Sequence, residues 1–433
     1  MLTPGPLPAR YSDSRAAEQA AWLERSEAVD VSRLSNYKSA ASCLAKWLWL
    51  QQNEPAALEV LRRDGGRLLF GAHAHVAREL CGGDEDGVSA CDRTTAATTG
   101  LLQAGTDEWA TDAVAAAGLD AALLPALRPA EAVLGEVTRA TAEALGLPDA
   151  LVGARVVQGC GDLGATTLGV GFSRHYMYLG TSGWVARTAA MDEPAQAQAA
   201  GVFDVLHPQV SQRIVAASMT TAGGAAMWAA LQMLSTDLKG LDRLAEHARP
   251  GAGGVLFMPH LTGERSPFLD AGARGAYLGI GADCGREELA RATLEGVALG
   301  YRSLMECMGV EADASRTIPL VGGGARSKVW PQIVADVTGQ AVEALGDEDA
   351  VAARGVAAIA YGALGHLDTY DSSAMELFMR GGPGAAQEPR VYVPNESTKA
   401  TYDEASAVYG KLYPVLKSVG LYNRSNIDDR PSI

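Results

Sequence analysis

Residues 275–295, GAYLGIGADCGREELARATLE, lead from closely spaced glycines into a segment with helical spacing of its apolar residues. We predict that this helix covers residues 285–308. Short apolar segments at 255–258 and 317–321 are typical of strands, and the second opens into a run of three glycines before a predicted helix at 327–338. Strand, glycine turn and helix in alternation predict an α/β domain with a mixed sheet flanked by helices.

The same alternation extends towards the N-terminus and then stops. We predict further strands at 154–158, 174–179 and 212–218. Before about residue 145 the pattern is mainly helical, with the second helix capped by Asn36 or Ser39 and the last one ended by Gly146. The predicted helices lie at 14–25, 40–52, 56–63 and 131–146. A domain boundary is therefore expected near residues 160–172.

Composition and charge narrow the function classes. The chain has 433 residues, 48% of them hydrophobic and 20% charged, which is usual for a globular protein. Its net charge is −15 and lysine and arginine do not cluster, so we expect no nucleic-acid partner. The sequence predicts neither a secretory signal nor a membrane span, and the six cysteines show no CxxC pair or zinc-ligand spacing. We expect a cytoplasmic protein with reduced thiols and no structural metal.

Three glycine-bearing turns lie in the predicted α/β domain, at 179–183, 221–224 and 321–326. Glycine lacks the Cβ atom that would obstruct a phosphate or ribose, and a helix N-terminus offers N–H donors. Thr181 or Ser182 adds a hydroxyl. Such glycines also occur in turns for conformational reasons alone. With three such turns in one domain, a nucleotide site and a purely conformational role for the glycines are about equally favoured.

Asp162 is the sharpest candidate acid. It follows an apolar strand within Gly159-Cys160-Gly161-Asp162, where its carboxylate can reach a cleft. An enzyme that transfers a phosphoryl group needs one carboxylate to accept the proton of the attacking hydroxyl. The competing interpretation is an N-cap for a helix starting near Gly164. Local sequence alone slightly favours the N-cap.

The order of the motifs adds a resemblance to a known family. Residues 275–295 resemble throughout the second signature of the FGGY carbohydrate kinases, and PHLTGERSP at 259–267 is similar to the family's P-x-L-x-G-E-R-x-P loop. The turn at 159–162 resembles the GGGD turn that carries the catalytic base. The turn at 179–183 resembles the second phosphate motif, and 322–326 the adenosine motif. The similarity covers about residues 8 to 418. The residues of the motifs most resemble those of the xylulokinase members of the family.

The resemblance implies the two-domain actin-like ATPase (ribonuclease H-like) fold, α/β in class, with an incomplete N-terminal domain. Residues 1–165 would be the remainder of the sugar-binding domain, 166–420 the ATP-binding domain and 421–433 a polar tail. The implied activity is ATP-dependent phosphorylation of the terminal hydroxyl of a ketopentose such as xylulose, with ATP and Mg²⁺. Glycerol, ribulose, gluconate and methyl-pentuloses are the alternative substrates. The partner would be a small sugar or polyol, and a homodimer is left open.

Residue by residue, the resemblance makes Asp162 the general base for the sugar hydroxyl. The segment Tyr11-Ser12-Asp13-Ser14-Arg15 is similar to the family's W-N-D-x-R, which implies that Asp13 and Arg15 lie near the sugar or the domain hinge. Residues 91–97, CDRTTAA, match the family's S/T-D-x-T-x-A stretch, and we interpret them as structural. The implied nucleotide-binding residues are Gly180, Thr181, Gly223, Gly324 and Lys328.

One family feature is missing from the printed sequence. Members begin with a strand that carries D-x-G-T, whose Asp helps to hold Mg²⁺, and neither this motif nor a Q-x-H-G segment occurs here. Two explanations stay open, an incomplete gene model or a natural truncated homologue that binds nucleotide or a partner with little or no catalysis. We expect the 433-residue chain as printed to show little sugar-dependent turnover.

Overall fold

The computed structural model divides into two compact units, each described here by itself. It describes residues 13, 15–83, 88–171, 175–193, 201–345, 350–368, 371, 374, 375, 378 and 389–422. The first unit comprises 1–171, 204–214 and 352–378, and the second 172–203, 215–351 and 379–433. The predicted ranges 1–165 and 166–420 differ from these units, because two later segments belong to the first unit. Tyr11 and the tail from 423 onwards lie outside the described residues.

Helices predominate at the start of the first unit. Its helices are α1 Ala17–Arg25, α2 Cys43–Asn53, α3 Pro55–Arg63, α4 Ala72–Leu80, α5 Arg93–Ala97, α6 Thr111–Ala116, α7 Arg139–Leu145, α8 Asp162–Gly169 and, after residue 351, most of α13 Val351–Ala363. The first three confirm the predicted helices to within three residues at each end. Leu23, Leu44 and Leu101 are fully buried in the core that α1 and α2 help to form.

The predicted cap of α2 was wrong. Ser42 caps this helix, and its hydroxyl accepts a hydrogen bond from the amide of Ala45. Asn36 adopts a positive φ of 48° and donates through its side chain to the carbonyl oxygens of Ala97 and Asp204 at 2.9 and 2.7 Å. The Asn36 amide therefore binds other backbone of the unit and is not available as a helix cap.

The predicted helix at 131–146 was also largely wrong. Strand β3 (Val133–Glu136) occupies its first half and pairs antiparallel with β4 (Arg155–Val157). Only α7 is helical. Its cap is Thr138, whose hydroxyl accepts from the amide of Thr141, and Gly146 ends it at a left-handed φ of 65°. The helical spacing was real only after Thr138, and strand pairing took the residues before it. The unit also contains β1 (Ala90–Asp92), parallel to β2 (Ala126–Arg128).

A seven-stranded mixed sheet confirms the predicted α/β class, and most of its residues belong to the second unit. The strands are β5 Tyr176–Leu179, β6 Gly183–Ala190, β7 Val202–Leu206, β8 Gln212–Met219, β11 Ile318–Val321, β12 Val342–Ala344 and β13 Arg390–Tyr392. Their order in the sheet is β13-β12-β11-β5-β6-β8-β7. Strand β11 runs parallel to both β5 and β12. Strand β6 runs antiparallel to β5, and β13 runs antiparallel to β12. A separate antiparallel pair joins β9 (Leu256–Met258) and β10 (Ala276–Leu278).

The helices of the second unit are α9 Gly223–Trp228, α10 Leu238–His247, α11 Arg286–Cys307, α12 Trp330–Thr338 and α14 Lys399–Ser418. Helix α11 confirms the prediction at 285–308 to one residue at each end. Most of its residues are buried, and it packs against α10, α12 and β9. Within the described residues, no helix combines the length and apolar character needed to cross a bilayer. All six cysteines are free.

Glu295, the last residue of the signature stretch, has a structural role in α11. Its side chain is 5% exposed. The carboxylate accepts hydrogen bonds from Arg291 Nε at 2.7 Å, the Tyr402 hydroxyl at 2.7 Å and the Gly251 amide at 3.0 Å. Arg291 in turn donates to the Tyr402 hydroxyl at 3.0 Å. This buried network ties α11 to α14 and to the turn before β9.

Candidate functional site

Two of the three glycine turns of the second unit are hydrogen-bonded to each other. The Gly223 amide donates to the Gly180 carbonyl at 2.7 Å, and the Gly224 amide donates to the Thr181 carbonyl at 3.0 Å. The Ala222 amide also donates to the Thr181 carbonyl, at 2.9 Å. These amides at the start of α9 are therefore occupied by protein, which corrects the expectation that they are unpaired donors.

The third turn lies against the same segment. A Cβ atom at Gly322 would be 2.8 Å from the carbonyl carbon and oxygen of Leu179, and one at Gly324 would be 2.4 Å from Leu179 Cγ. Gly322 also has a φ of +92°, which favours glycine. The structure thus brings Gly180, Gly223 and Gly324 together around the end of β5. The absence of a Cβ atom at these glycines lets the three turns approach one another closely, whether or not a ligand also binds there.

Unpaired donors remain on the first turn. Among the described residues, the amides of Thr181 and Ser182 and the hydroxyl of Thr181 have no hydrogen-bond partner, and Thr181 is exposed. Consecutive free amides in a turn form a concave site for an anion such as phosphate. Since the chain carries a net charge of −15, such local dipoles would have to hold a polyphosphate.

Buried side chains beneath the turns fix their position. Tyr178 stacks on Trp184 with ring centroids 3.8 Å apart, and the Tyr301 hydroxyl donates to the Tyr178 carbonyl. The Glu264 carboxylate accepts from the Thr220 amide at 2.7 Å and holds the strand end that precedes the Gly223 turn. The family loop that contains Glu264 could have pointed to it, but no sequence signal linked Tyr301 to the turn.

Lys328 follows the third turn and is exposed. The hydroxyl of its neighbour Ser327 accepts a hydrogen bond from the Trp330 amide at the start of α12, at 2.9 Å, and donates to Asp242 on α10 at 2.9 Å. Burial raises the pKa of Asp242. Lys328 is therefore held beside the Gly324 turn by an anchored backbone, while its side chain lies in solvent.

Asp162, in the first unit, is the first residue of α8 and is exposed. The N-cap position belongs to Gly161, and no side chain caps the helix. Among the residues that the structure describes, the Asp162 carboxylate accepts a hydrogen bond only from the amide of the next residue, Leu163, at 2.8 Å. Asp162 is thus not the N-cap that its sequence allowed. Its carboxylate is stabilised by the positive end of α8 and is open to a ligand.

Unpaired polar groups lie buried close to the start of α8. A Cβ atom at Gly161 would be 3.0 Å from the Thr95 hydroxyl, which has no hydrogen-bond partner among the described residues. The side chain of Gln158, four residues before Asp162, is 2% exposed, and neither of its amide atoms has a partner within the same residues. Buried hydroxyls and amides normally pair with protein or water. Sequence reasoning missed both residues, although their polarity beside an apolar strand was a signal.

Within residues 91–97, Asp92 and Arg93 make structural contacts. Asp92 is fully buried and caps α5 by accepting from the Thr95 amide at 2.9 Å. Its second oxygen lies 3.1 Å from His73 Nε2. Arg93 pairs with Asp107 at 2.9 Å. The Asp92 carboxylate is occupied by these contacts, so Asp162 is the open carboxylate of the two.

Asp13 and Arg15 pair with each other. Arg15 donates through Nε and Nη2 to the two Asp13 oxygens at 2.7 to 3.0 Å, and its guanidinium lies 4.5 Å from the centre of the Trp49 ring. The hydrogen bond from Arg15 lowers the pKa of Asp13. No hydrogen bond or ion pair between described residues joins this pair to Asp162, so their part in sugar binding stays a prediction.

A protein-held metal site does not emerge from the part of the chain that the structure describes. There, no group of three or more His, Cys, Asp or Glu side chains could hold a metal ion. Mg²⁺ in phosphoryl-transfer sites is commonly held by one or two carboxylates together with substrate phosphates. The described residues do not fit a dedicated Mg²⁺ cage, and no step below depends on one.

Comparison with known families gives two matches in chain order. Residues 9–169 match the N-terminal domain and residues 175–364 the C-terminal domain of the FGGY family of carbohydrate kinases. Together these ranges cover most of the chain.

Individual relatives agree. The xylulose kinase of Klebsiella pneumoniae is 27% identical over 417 residues, which are 94% of this chain and 80% of that protein. The crystal structure of a ligand-bound xylulose kinase from Lactobacillus acidophilus has a TM-score of 0.77 at 21% identity, covering 94% of this chain and 79% of that one. A gluconate kinase from the same organism also has a TM-score of 0.77, at 22% identity, with the same coverage. The two structures establish the fold alone.

Proposed function

Because the chain belongs to the FGGY family of carbohydrate kinases, we propose that it transfers a phosphoryl group from ATP to the terminal hydroxyl of a ketopentose, with xylulose as the substrate. The observation that carries this proposal is the meeting of three glycine turns at the end of β5, beside the unpaired amides of Thr181 and Ser182. The choice of sugar is supported by the Klebsiella pneumoniae relative, which is a xylulose kinase.

We assign ATP to the second unit. The Thr181 and Ser182 amides and the Thr181 hydroxyl would donate to phosphate oxygens. Gly180 and Gly223 keep the two turns close enough to form that surface. Gly324 and the exposed Lys328 would flank the adenosine. Preorganised donors of this kind contribute to phosphoryl transfer because the chemistry depends mainly on positioning and charge stabilisation.

We assign the proton transfer to Asp162. Its carboxylate accepts the proton of the attacking sugar hydroxyl as the new O–P bond forms, and the bond from the phosphoryl group to ADP breaks. Three features support this role: the carboxylate is exposed, it lies at the start of α8, and no described residue other than the adjacent Leu163 hydrogen-bonds to it. Two buried polar side chains lie near Asp162: Gln158 precedes it by four residues, and the Thr95 hydroxyl lies close to Gly161. Asp13 and Arg15 complete the set of residues that we propose for the sugar.

The substrate is tested by measuring ADP release with xylulose, ribulose, gluconate, glycerol and a methyl-pentulose. The 433-residue sequence contains no D-x-G-T motif. The assay is therefore run on this chain and on the same chain preceded by an opening segment of a family member that carries the motif. We expect xylulose to give the fastest ADP release of the five substrates. A preference for gluconate or glycerol would overturn the proposed sugar.

The alternative is a catalytically weak homologue that binds nucleotide, a role that the unpaired amides of Thr181 and Ser182 would also serve. This alternative predicts saturable ATP binding by the second unit together with no sugar-dependent turnover in either form of the chain. Mg²⁺ dependence is measured in the same assay, by titrating the metal at fixed ATP. Full turnover by the printed chain would contradict both the alternative and our expectation for that form.

A further inference from the structure

A cavity of about 310 Å³ lies in the second unit, and none of the residues assigned to ATP lines it. Its wall comes from the end of β8, the loop at 259–268, α11 and α14. The residues that shape it are Met219, Met258, Phe268, Gly300, Tyr409 and Tyr413. An apolar cavity of about 150 Å³ accommodates benzene, so this one has room for a substituted ring.

The cavity wall is mainly apolar and aromatic, and it includes a buried hydroxyl that lacks a hydrogen-bond partner among the described residues. Tyr409 is 6% exposed, and its hydroxyl has no hydrogen-bond partner among the residues that the structure describes. Burial and, secondarily, the nearby Glu264 carboxylate raise the pKa of Tyr409, so the hydroxyl stays protonated. A buried hydroxyl without a partner is unfavourable, and an oxygen atom of a ligand would supply one.

Two other polar side chains at the cavity, Glu264 and Ser266, are already committed to protein hydrogen bonds. Glu264 accepts from the amides of Thr220 and Arg265 at 2.7 and 2.8 Å, and its second oxygen lies 2.8 Å from His260 Nδ1. The Ser266 hydroxyl donates to the Gly201 carbonyl. With its oxygens used, Glu264 has little capacity left for a cationic ligand, while its charge disfavours an anionic one. The wall therefore suits an uncharged molecule.

We propose that this cavity is a second ligand site, which binds a small uncharged molecule with a ring or branched aliphatic body and one hydroxyl or carbonyl oxygen that accepts a hydrogen bond from Tyr409. The apolar body packs against the methionine and aromatic side chains. This combination of an apolar lining and one placed polar group is usual for small-molecule sites. None of the residues assigned to the sugar or to ATP lines this cavity.

The test uses 4-methylphenol and toluene as probes, a pair that differs in the hydroxyl. Binding is followed on the protein by NMR of ¹³C-methyl methionine, with the Met219 and Met258 signals assigned from the Met219→Leu and Met258→Leu variants. Both residues line the cavity, so we expect saturable shifts of both methyl signals at millimolar probe or below. No shift of either signal by either probe would overturn the proposal.

Two variants locate the binding. A Cβ atom at Gly410, which lines the cavity on α14, would meet no atom within 4 Å, so Gly410→Leu places a side chain there without a backbone clash. We expect it to weaken both probes about tenfold or more, while Ala407→Leu, at an exposed position on the same helix, leaves them unchanged. Equal binding by Gly410→Leu and the parent protein would place the probes elsewhere and overturn the assignment.

Tyr409→Phe tests the hydrogen bond. Loss of one neutral hydrogen bond should weaken 4-methylphenol by about three- to tenfold and leave toluene unaffected or slightly tighter. The toluene titration also shows that the variant retains the folded cavity. An unchanged ratio of the two affinities would remove Tyr409 from the site and contradict the stated ligand class.

Discussion

Replacing Gly223 by alanine is expected to separate the two hydrogen-bonded turns on which the nucleotide proposal depends. The new Cβ atom would lie 2.5 Å from the Gly180 carbonyl oxygen and 3.2 Å from its carbon. Both are backbone atoms, so no flexible side chain can move away. The Gly223 amide is also the donor of the 2.7 Å bond to that same oxygen.

The magnitude follows from what the shift breaks. Two backbone hydrogen bonds, from Gly223 and Gly224 to the Gly180 turn, each contribute about 1 kcal/mol net. With the added steric strain we expect Gly223→Ala to lower the free energy of unfolding by about 2–4 kcal/mol. Because the same shift displaces the Thr181 and Ser182 amides, ATP affinity should fall about tenfold or more.

Gly224→Ala is the matched control. Its Cβ atom would approach the Thr181 carbonyl oxygen at 3.2 Å and two methyl groups at 3.4 Å, contacts that small adjustments relieve. We expect less than about 1 kcal/mol of change, partly offset by the better helix propensity of alanine. Urea denaturation and calorimetric ATP titration compare the two variants with the parent. Equal stability and equal ATP affinity of both variants would refute the role of this turn.

Two further predictions concern buried ionisable groups. Burial lowers the pKa of His207 to about 3, so the folded protein keeps it neutral while the unfolded chain binds a proton below about pH 6.5. The contribution of neutral His207 to the free energy of unfolding is therefore complete above about pH 6.5 and is lost as the pH falls towards 3. Between pH 7 and pH 5 this contribution should fall by about 2 kcal/mol. His207→Gln should lack that component in urea denaturation at the two pH values, and an unchanged pH dependence would contradict the assignment. Glu295→Ala should cost about 3–5 kcal/mol because it leaves Arg291 buried and unpaired, and Glu295→Gln should cost less. A loss below about 1 kcal/mol in Glu295→Ala, by thermal unfolding, would show that the network is dispensable.

The sequence predicted best where local signals agreed with tertiary packing. Helix α11 has a long apolar repeat that is buried against its neighbours, and its predicted bounds hold to one residue. The stop at Gly146 was confirmed because a left-handed residue there suits glycine. Prediction failed at 131–137, where pairing with β4 overrode a helical pattern, since strand partners distant in sequence leave no local trace.

The candidate site divides in the same way. Glycines at turns were found from sequence, but their closest neighbours are backbone atoms of other turns, which only the fold reveals. Whether Asp162 is the N-cap of α8 depended on where the helix begins, to within one residue. The helix starts at Asp162 itself, and Gly161 takes the cap. Thr95 and Gln158 became candidates only once their burial without partners was visible.

The central proposal, that Asp162 is the general base of a sugar kinase, is tested by Asp162→Asn. The variant is made in the chain that carries the D-x-G-T opening segment, with Asp149→Asn, an exposed carboxylate of the same unit, as the control. Xylulose-dependent ADP release should fall by about 10²–10⁴-fold in Asp162→Asn and stay near the parent value in Asp149→Asn, with ATP affinity unchanged in both. Near-normal turnover by Asp162→Asn would contradict the account.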